Sequence, residues 1–323
     1  MSDPAESIRE GHARPQQAFP GTVQQNVIIP VPEPFHFQMN LDYLSRSDNE
    51  CMFHVQNDKL YKLVPYGEKQ MEHALIEISA GQGHSLNIRF LGDVPPSEAC
   101  RLAAVRYVQI WFDFDTDLNP FYRMANRDPL LKETVKRFRG LRLIGIPDLF
   151  EALCWGILGQ QINLPFAYTL KRRFVEQFGH SVSGGGHELW QFPAPEIIAG
   201  LEAEQLTRLQ ITNRKAEYLI GVAALIAEGK LSKPMLQQEP DFAAAVKRLT
   251  AIRGIGPWTA HYVCMRCLRV PSAFPIEDVG LHNAIKLMLS MERKPTLDEI
   301  RQLAQAWTGW EAYATFYLWR MLY

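Results

Sequence analysis

The chain has 323 residues, 47% of them hydrophobic and 21% charged, with a formal net charge of −1. That is enough polymer for about two domains with real cores, and it excludes a disordered or fibrous protein. No apolar run approaches the roughly 20 residues of a membrane span, and residues 1–20 lack the apolar stretch of a signal peptide, so a cytoplasmic protein with no membrane partner is expected. Five scattered cysteines, Cys51, Cys100, Cys154, Cys264 and Cys267, suit a reducing compartment rather than a disulfide scaffold.

The charge is unevenly placed: residues 1–120 carry a net −7 and residues 121–180 a net +5. A polyanion could therefore meet the second part while most of the first faces elsewhere. Residues 1–25 read as a loose polar leader. From Val27 to about Phe112 the stretches VIIP, FHFQMNLDYL, MFHVQNDKLYKLVPY, ALIEISAGQGHSLNIRFLGD and YVQIWF read as short extended pieces. Leu86, Ile88 and Phe90 alternate there with Ser85, Asn87 and Arg89, as in a half-buried antiparallel strand. A helix is expected near Pro96–Tyr107, with Ser97 as its cap. Residues 26–117 thus form a sheet-rich domain.

Residues 118–323 read as helical, in two subdomains. Asp148 caps a helix through Leu158, a second runs from about Leu164 to Phe178, and Gly184 to Gly186 mark a loop. The stretch LTAIRGIGPWTAHYVC, within a helix-hairpin-helix at about 244–268, carries the most information. Gly254 and Gly256 can both take positive φ in a tight turn, Ile255 anchors it, and Pro257 suits the first helical position. Unpaired N–H groups at the new helix start are natural acceptor-seekers for a phosphate, although the same residues would also serve an ordinary helix connection.

The combination of GIGPWTA, an aspartate in FPIEDVGLHNAI and the upstream LFEALCWGILGQQIN resembles the helix-hairpin-helix superfamily of DNA glycosylases, closest to the bacterial DNA-3-methyladenine glycosylase II type. The resemblance covers about Leu118–Tyr323. It implies an α+β fold in which mainly helical glycosylase domains follow a small antiparallel domain like the TATA-binding-protein-like domain of that family. It also implies hydrolysis of the N-glycosidic bond of alkylated bases such as 3-methyladenine and 7-methylguanine, flipped out of double-stranded DNA by a monomeric enzyme. Asp278 matches the catalytic aspartate, and the local sequence lets it cap the helix that begins at Val279. Trp258 stands where bifunctional relatives carry a lysine, and an indole cannot form their Schiff base, so a monofunctional enzyme that leaves an abasic site is expected.

Trp258, Trp310, Trp155, Tyr262 and Phe166 are candidates for the base pocket, with Trp310 and Trp155 ranked above the other pocket aromatics after Trp258. Gln160, Gln161, Ile162, Arg253, Gly254, Gly256 and Thr259 are candidates for DNA contact. Gln161 stands where well-known relatives have a wedging leucine, which leaves open whether Gln161 or Ile162 enters the duplex, and Gln160 could instead brace the loop. Gly309 and Glu311 replace a proline and an arginine of many relatives, and a carboxylate facing DNA would repel it. No metal or organic cofactor is expected. Cys264 and Cys267 lie within one helix with no second pair, and no cysteine follows for the iron–sulfur cluster of some relatives. Family hairpins do coordinate a monovalent cation through backbone carbonyls near Arg253–Ile255. Excision of oxidised or deaminated purines, or damage binding without chemistry, remain the alternatives.

Overall fold

The computed structural model describes residues 25–67, 72–92, 94–184 and 186–323, so the expected leader lies outside the described residues except for Gln25. The first domain is built on strands β1 (Asn26–Pro30), β2 (Phe53–Gln56), β3 (Lys59–Tyr66), β4 (Glu72–Ala80) and β5 (Ser85–Phe90). They form one sheet in the order β1-β5-β4-β3-β2, each neighbouring pair antiparallel. Leu86, Ile88 and Phe90 are buried while Arg89 is exposed, as the alternation requires. Asn57 and Asp58, both at positive φ, make the two-residue turn that joins β2 to β3.

Two stretches read as extended are helical. FQMNLDYL forms the helix Phe37–Leu44, which buries Phe37, Asn40, Leu41, Tyr43 and Leu44, spacings of three and four that fit a helix face and not a strand. YVQIWF is the end of a long helix, Glu98–Trp111, whose cap is the expected Ser97, with the Cys100 N–H donating to its hydroxyl at 3.2 Å. Cys100, Ala104, Val108 and Trp111 make its buried stripe.

The helical half starts at Asn119. Its helix Leu149–Leu158 buries all ten residues, with Asp148 as its cap. A Cβ on Gly156 of this helix would lie 2.6 Å from Thr259 Cγ2, so glycine allows it to pack tightly against the helix Pro257–Arg266. The region expected as a loop around Gly184 is the turn of a hairpin, β6 (His180–Gly184) and β7 (His187–Gln191). The hairpin lays Val182 and Leu189 on Tyr61, Leu63 and Leu75, the sheet face opposite the main core. The main core is continuous from the sheet to the last helix, Glu311–Trp319. Among the described residues no helix is long and apolar enough to cross a membrane.

Candidate active site

Asp278 is 9% exposed, whereas its neighbour Glu277 is exposed. It caps the helix Val279–Met288: the Leu281 N–H donates to Oδ1 at 2.7 Å. Two indoles complete its shell. Trp319 Nε1 donates to Oδ1 at 2.8 Å and Trp258 Nε1 donates to Oδ2 at 3.0 Å. The carboxylate is thus fixed in plane and position by donors from three helices. Gly280 keeps this shell tight, since a Cβ there would stand 2.9 Å from Asp278 Oδ1 and 3.1 Å from the Trp319 ring. Tyr262 joins the two indoles, its ring 5.5 Å from Trp258 and 6.3 Å from Trp319 at shallow angles. Burial pushes its hydroxyl pKa up, against the opposing pull of Arg266.

Trp319 is the residue the sequence reading missed. It sits in a nearly all-apolar terminal helix among seven tryptophans, and only the need of a buried indole N–H for an acceptor could have marked it. Trp310, ranked high from sequence, instead packs against Phe121 and Tyr313 at 5.9 and 6.0 Å, neither of which holds Asp278. Trp155 is buried against Tyr168, 4.8 Å between ring centres, and lines a cavity that also reaches Tyr262. Phe166 is half-buried against the core at the start of the helix Leu164–Phe178.

The hairpin joins the helices Phe242–Thr250 and Pro257–Arg266. Only Gly254 takes positive φ, at +94°; Gly256 sits at −86°, an ordinary extended conformation, which corrects the expectation for the pair. A Cβ on Gly254 would collide with the ring of Tyr218, while one on Gly256 would meet nothing within 4 Å. Ile255 is buried and anchors the turn. Gly256 and Pro257 are exposed, and no side chain caps the helix that follows, so its first N–H groups have no side-chain acceptor.

Gln160 and Thr259, expected at DNA, turn inward. Gln160 Nε2 donates to the Gly254 carbonyl at 2.9 Å and to Thr259 Oγ1 at 3.3 Å, and Thr259 is 1% exposed. These side chains therefore brace the hairpin, because the close packing at Gly156 leaves Thr259 no route outward. The Gly254 carbonyl keeps a second lone pair, so the hairpin carbonyls remain compatible with a monovalent cation. Gln161, at φ +55°, projects exposed from the loop apex, and Ile162 folds back against the core. Arg253 is exposed and pairs with Glu217 at 2.7 Å.

Gly309 adopts φ +82°, which proline cannot reach. Glu311 bends toward its own helix start, where burial raises its pKa against the backbone N–H groups of residues 309–311 that lower it. Cys264 and Cys267 are free and buried, and burial pushes both thiols up to about 12.

A fixed, largely buried carboxylate beside an aromatic wall can stabilise a passing cation and aim a water, and an uncapped helix start beside it can receive a phosphate. Residues 154–309 match the family described as HhH-GPD superfamily base excision DNA repair protein, and residues 29–153 match that described as 8-oxoguanine DNA glycosylase, N-terminal domain. The chain is 50% identical over 302 residues to the DNA-3-methyladenine glycosylase of Bacillus subtilis, covering 93% of this chain and 98% of that protein. It is 32% identical over 294 residues to a putative DNA-3-methyladenine glycosylase of the same bacterium, covering 91% and 98%. Its fold is similar to 3-methyladenine DNA-glycosylase from Archaeoglobus fulgidus, with TM-score 0.77 and 20% identity over 91% of this chain and 97% of that one. It is also similar in fold to the 8-oxoguanine glycosylase/lyase of Clostridium acetobutylicum, with TM-score 0.69 and 20% identity over 92% and 96%. Hairpin, capped aspartate, family match and near full-length relatives agree: the chain belongs to the HhH-GPD superfamily of DNA glycosylases and is related to the bacterial DNA-3-methyladenine glycosylase II type.

Proposed function

We propose that this chain is a monofunctional glycosylase that flips an alkylated base out of duplex DNA and hydrolyses its N-glycosidic bond, leaving an abasic site. The observation that carries this reading is the Asp278 carboxylate held by Trp258, Trp319 and Leu281, with no amine at the hairpin position. An alkylated purine already carries positive charge, so the C1′–N bond breaks with little help at the base. The electron pair leaves with the base, and positive charge develops on the sugar, where the fixed carboxylate stabilises it. A water oxygen then bonds to C1′, and Asp278 aims it and draws its proton.

The wall of Trp258, Tyr262 and Trp319 gives an electron-poor ring a face to stack on. The N–H groups after Gly256 hold a backbone phosphate, and Gln161 fills the vacated stack. The 50% identity, over nearly the whole of both chains, to a protein named DNA-3-methyladenine glycosylase supports the alkylation range. A second reading, removal of an oxidised purine, is favoured by the match of residues 29–153.

The test is single-turnover release of free base from methylated, oxidised and deaminated duplex. Release of 3-methyladenine and 7-methylguanine is expected. Binding without release of any base, or release of 8-oxoguanine alone, would overturn the reading.

A further inference from the structure

On β3 the side chains facing the main core are Leu60, Lys62 and Val64, so the strand carries a lysine into the interior. Lys62 lines a cavity of about 50 Å³ between the sheet domain and the helices, together with Arg46, Lys171 and Arg266. Only two carboxylates line it, Glu50 and Glu151, and Lys171 holds both at 3.1 Å. Lys62 donates to the Met52 carbonyl at 3.0 Å, and burial lowers its pKa.

The two guanidiniums have no such partner. Arg46 donates to the Tyr43 carbonyl at 3.1 Å. Arg266 donates to the Ile144 carbonyl at 2.7 Å, to the Tyr262 hydroxyl at 2.9 Å and to the Tyr43 hydroxyl at 3.3 Å. Among the described residues neither forms an ion pair, and both lie against the Tyr43 ring, 3.8 and 5.9 Å from its centre. Stability alone does not favour two unneutralised guanidiniums in an interior cavity.

Their position relative to Asp278 gives them a use. Tyr262 connects the two groups: its hydroxyl accepts from Arg266, and its ring lies beside the indoles that grip Asp278. An aromatic residue thus stands between the anion at Asp278 and the cations that line the cavity. Breaking a glycosidic bond to an uncharged base produces that same polarity. The electron pair of the C1′–N bond stays on the base, which departs as an anion; water oxygen bonds to C1′, and the water proton ends on the base. A cationic alkylpurine leaves neutral and needs no such cation.

We propose that Arg46 and Arg266 are specificity-determining residues that extend excision from cationic alkylpurines to uncharged bases presenting a carbonyl oxygen, whose departing anion they stabilise. The inference rests on the glycosylase reading above. The cavity is too small for a whole base, so a carbonyl edge, directly or through one water, reaches the guanidiniums.

The test uses two duplexes of one sequence, carrying a single 7-methylguanine or a single hypoxanthine. Both bases present O6, and they differ in charge. Arg46→Gln, checked for folding by its melting curve, should slow single-turnover hypoxanthine release by roughly 10-fold while changing 7-methylguanine release by less than about 3-fold. Arg46→Lys should restore most of the difference. Tyr43→Phe, which removes one hydroxyl partner of Arg266 and no charge, should act in the same direction more weakly. Equal losses on both bases in Arg46→Gln and Tyr43→Phe would overturn the inference, as would a parent chain that releases 7-methylguanine but never hypoxanthine. Release of neither base by the parent would overturn the glycosylase reading itself.

Discussion

The helices Pro257–Arg266 and Val279–Met288 begin in opposite ways. The first starts at exposed Gly256 with no side-chain cap, its first N–H groups without a side-chain acceptor. The second starts at buried Asp278, whose carboxylate satisfies the Leu281 N–H and accepts two indole N–H bonds besides. Both ends carry the same partial positive charge of a helix start. One has no side-chain anion of its own; the other is filled by the protein's own carboxylate, which two indoles hold in place. In the proposed function a phosphate grip and a cation-stabilising group would thus come from one structural element used twice.

The strongest way to break this contrast is Asp278→Asn. It keeps the volume and one acceptor oxygen, but turns an amide NH₂ toward an indole N–H and removes the charge. Single-turnover excision should fall by roughly 10²-fold or more, while duplex affinity stays near parental. Glu277→Gln, exposed and outside the shell, should leave the rate unchanged. Parental excision by Asp278→Asn would dissolve the distinction between the two helix starts.

At the uncapped end the two glycines separate fold from contact. Gly254→Ala meets the ring of Tyr218 and a left-handed backbone, so it should lower the melting temperature and weaken damaged and undamaged duplex binding alike by about 10-fold. Gly256→Ala is unstrained in the free protein and should melt like the parent, so any loss of duplex affinity reports the close approach of a phosphate. Equal melting losses for both would show that the turn tolerates neither, and that it is a connection only.

Two smaller effects sharpen the capped end and its surroundings. Trp319→Phe removes one donor to Asp278 Oδ1 and should slow excision about 5-fold without changing duplex affinity, a split that simple loss of packing would not give. Gln161→Ala should slow excision from a well-paired site by about 3-fold more than from a mismatched one, where less unstacking energy is needed. Identical losses on the two duplexes would show that Gln161 does not fill the vacated space.

Local chemistry made some of this legible before any coordinates. Asp278, Asp148 and Ser97 were readable as caps because a cap is decided by the residue and the few that follow it. Pro257 and the hairpin were readable for the same reason. What depended on distant chain was not. Gly254 and Gly256 look alike in sequence, and the positive φ of Gly254 together with the ring of Tyr218, from another helix, distinguishes them. Trp310 and Trp319 stand at opposite ends of the last helix, and only its docking decides that Trp319 is the one to meet Asp278. FQMNLDYL reads as extended because a helix face of spacing three and four also contains short apolar runs. Lys62 is carried inward because the strand face it shares with Leu60 and Val64 is the one the rest of the chain packs on.

In the proposed reaction a carboxylate and a water break the bond, with no protein amine bonded to the sugar. This is tested most directly by turnover on a duplex carrying one alkylated base in the presence of borohydride, with the products resolved before and after alkali. The account predicts an intact strand until alkali is added and no protein covalently trapped on DNA. A reduced protein–DNA adduct, or strand cleavage by the parent chain without alkali, would contradict it.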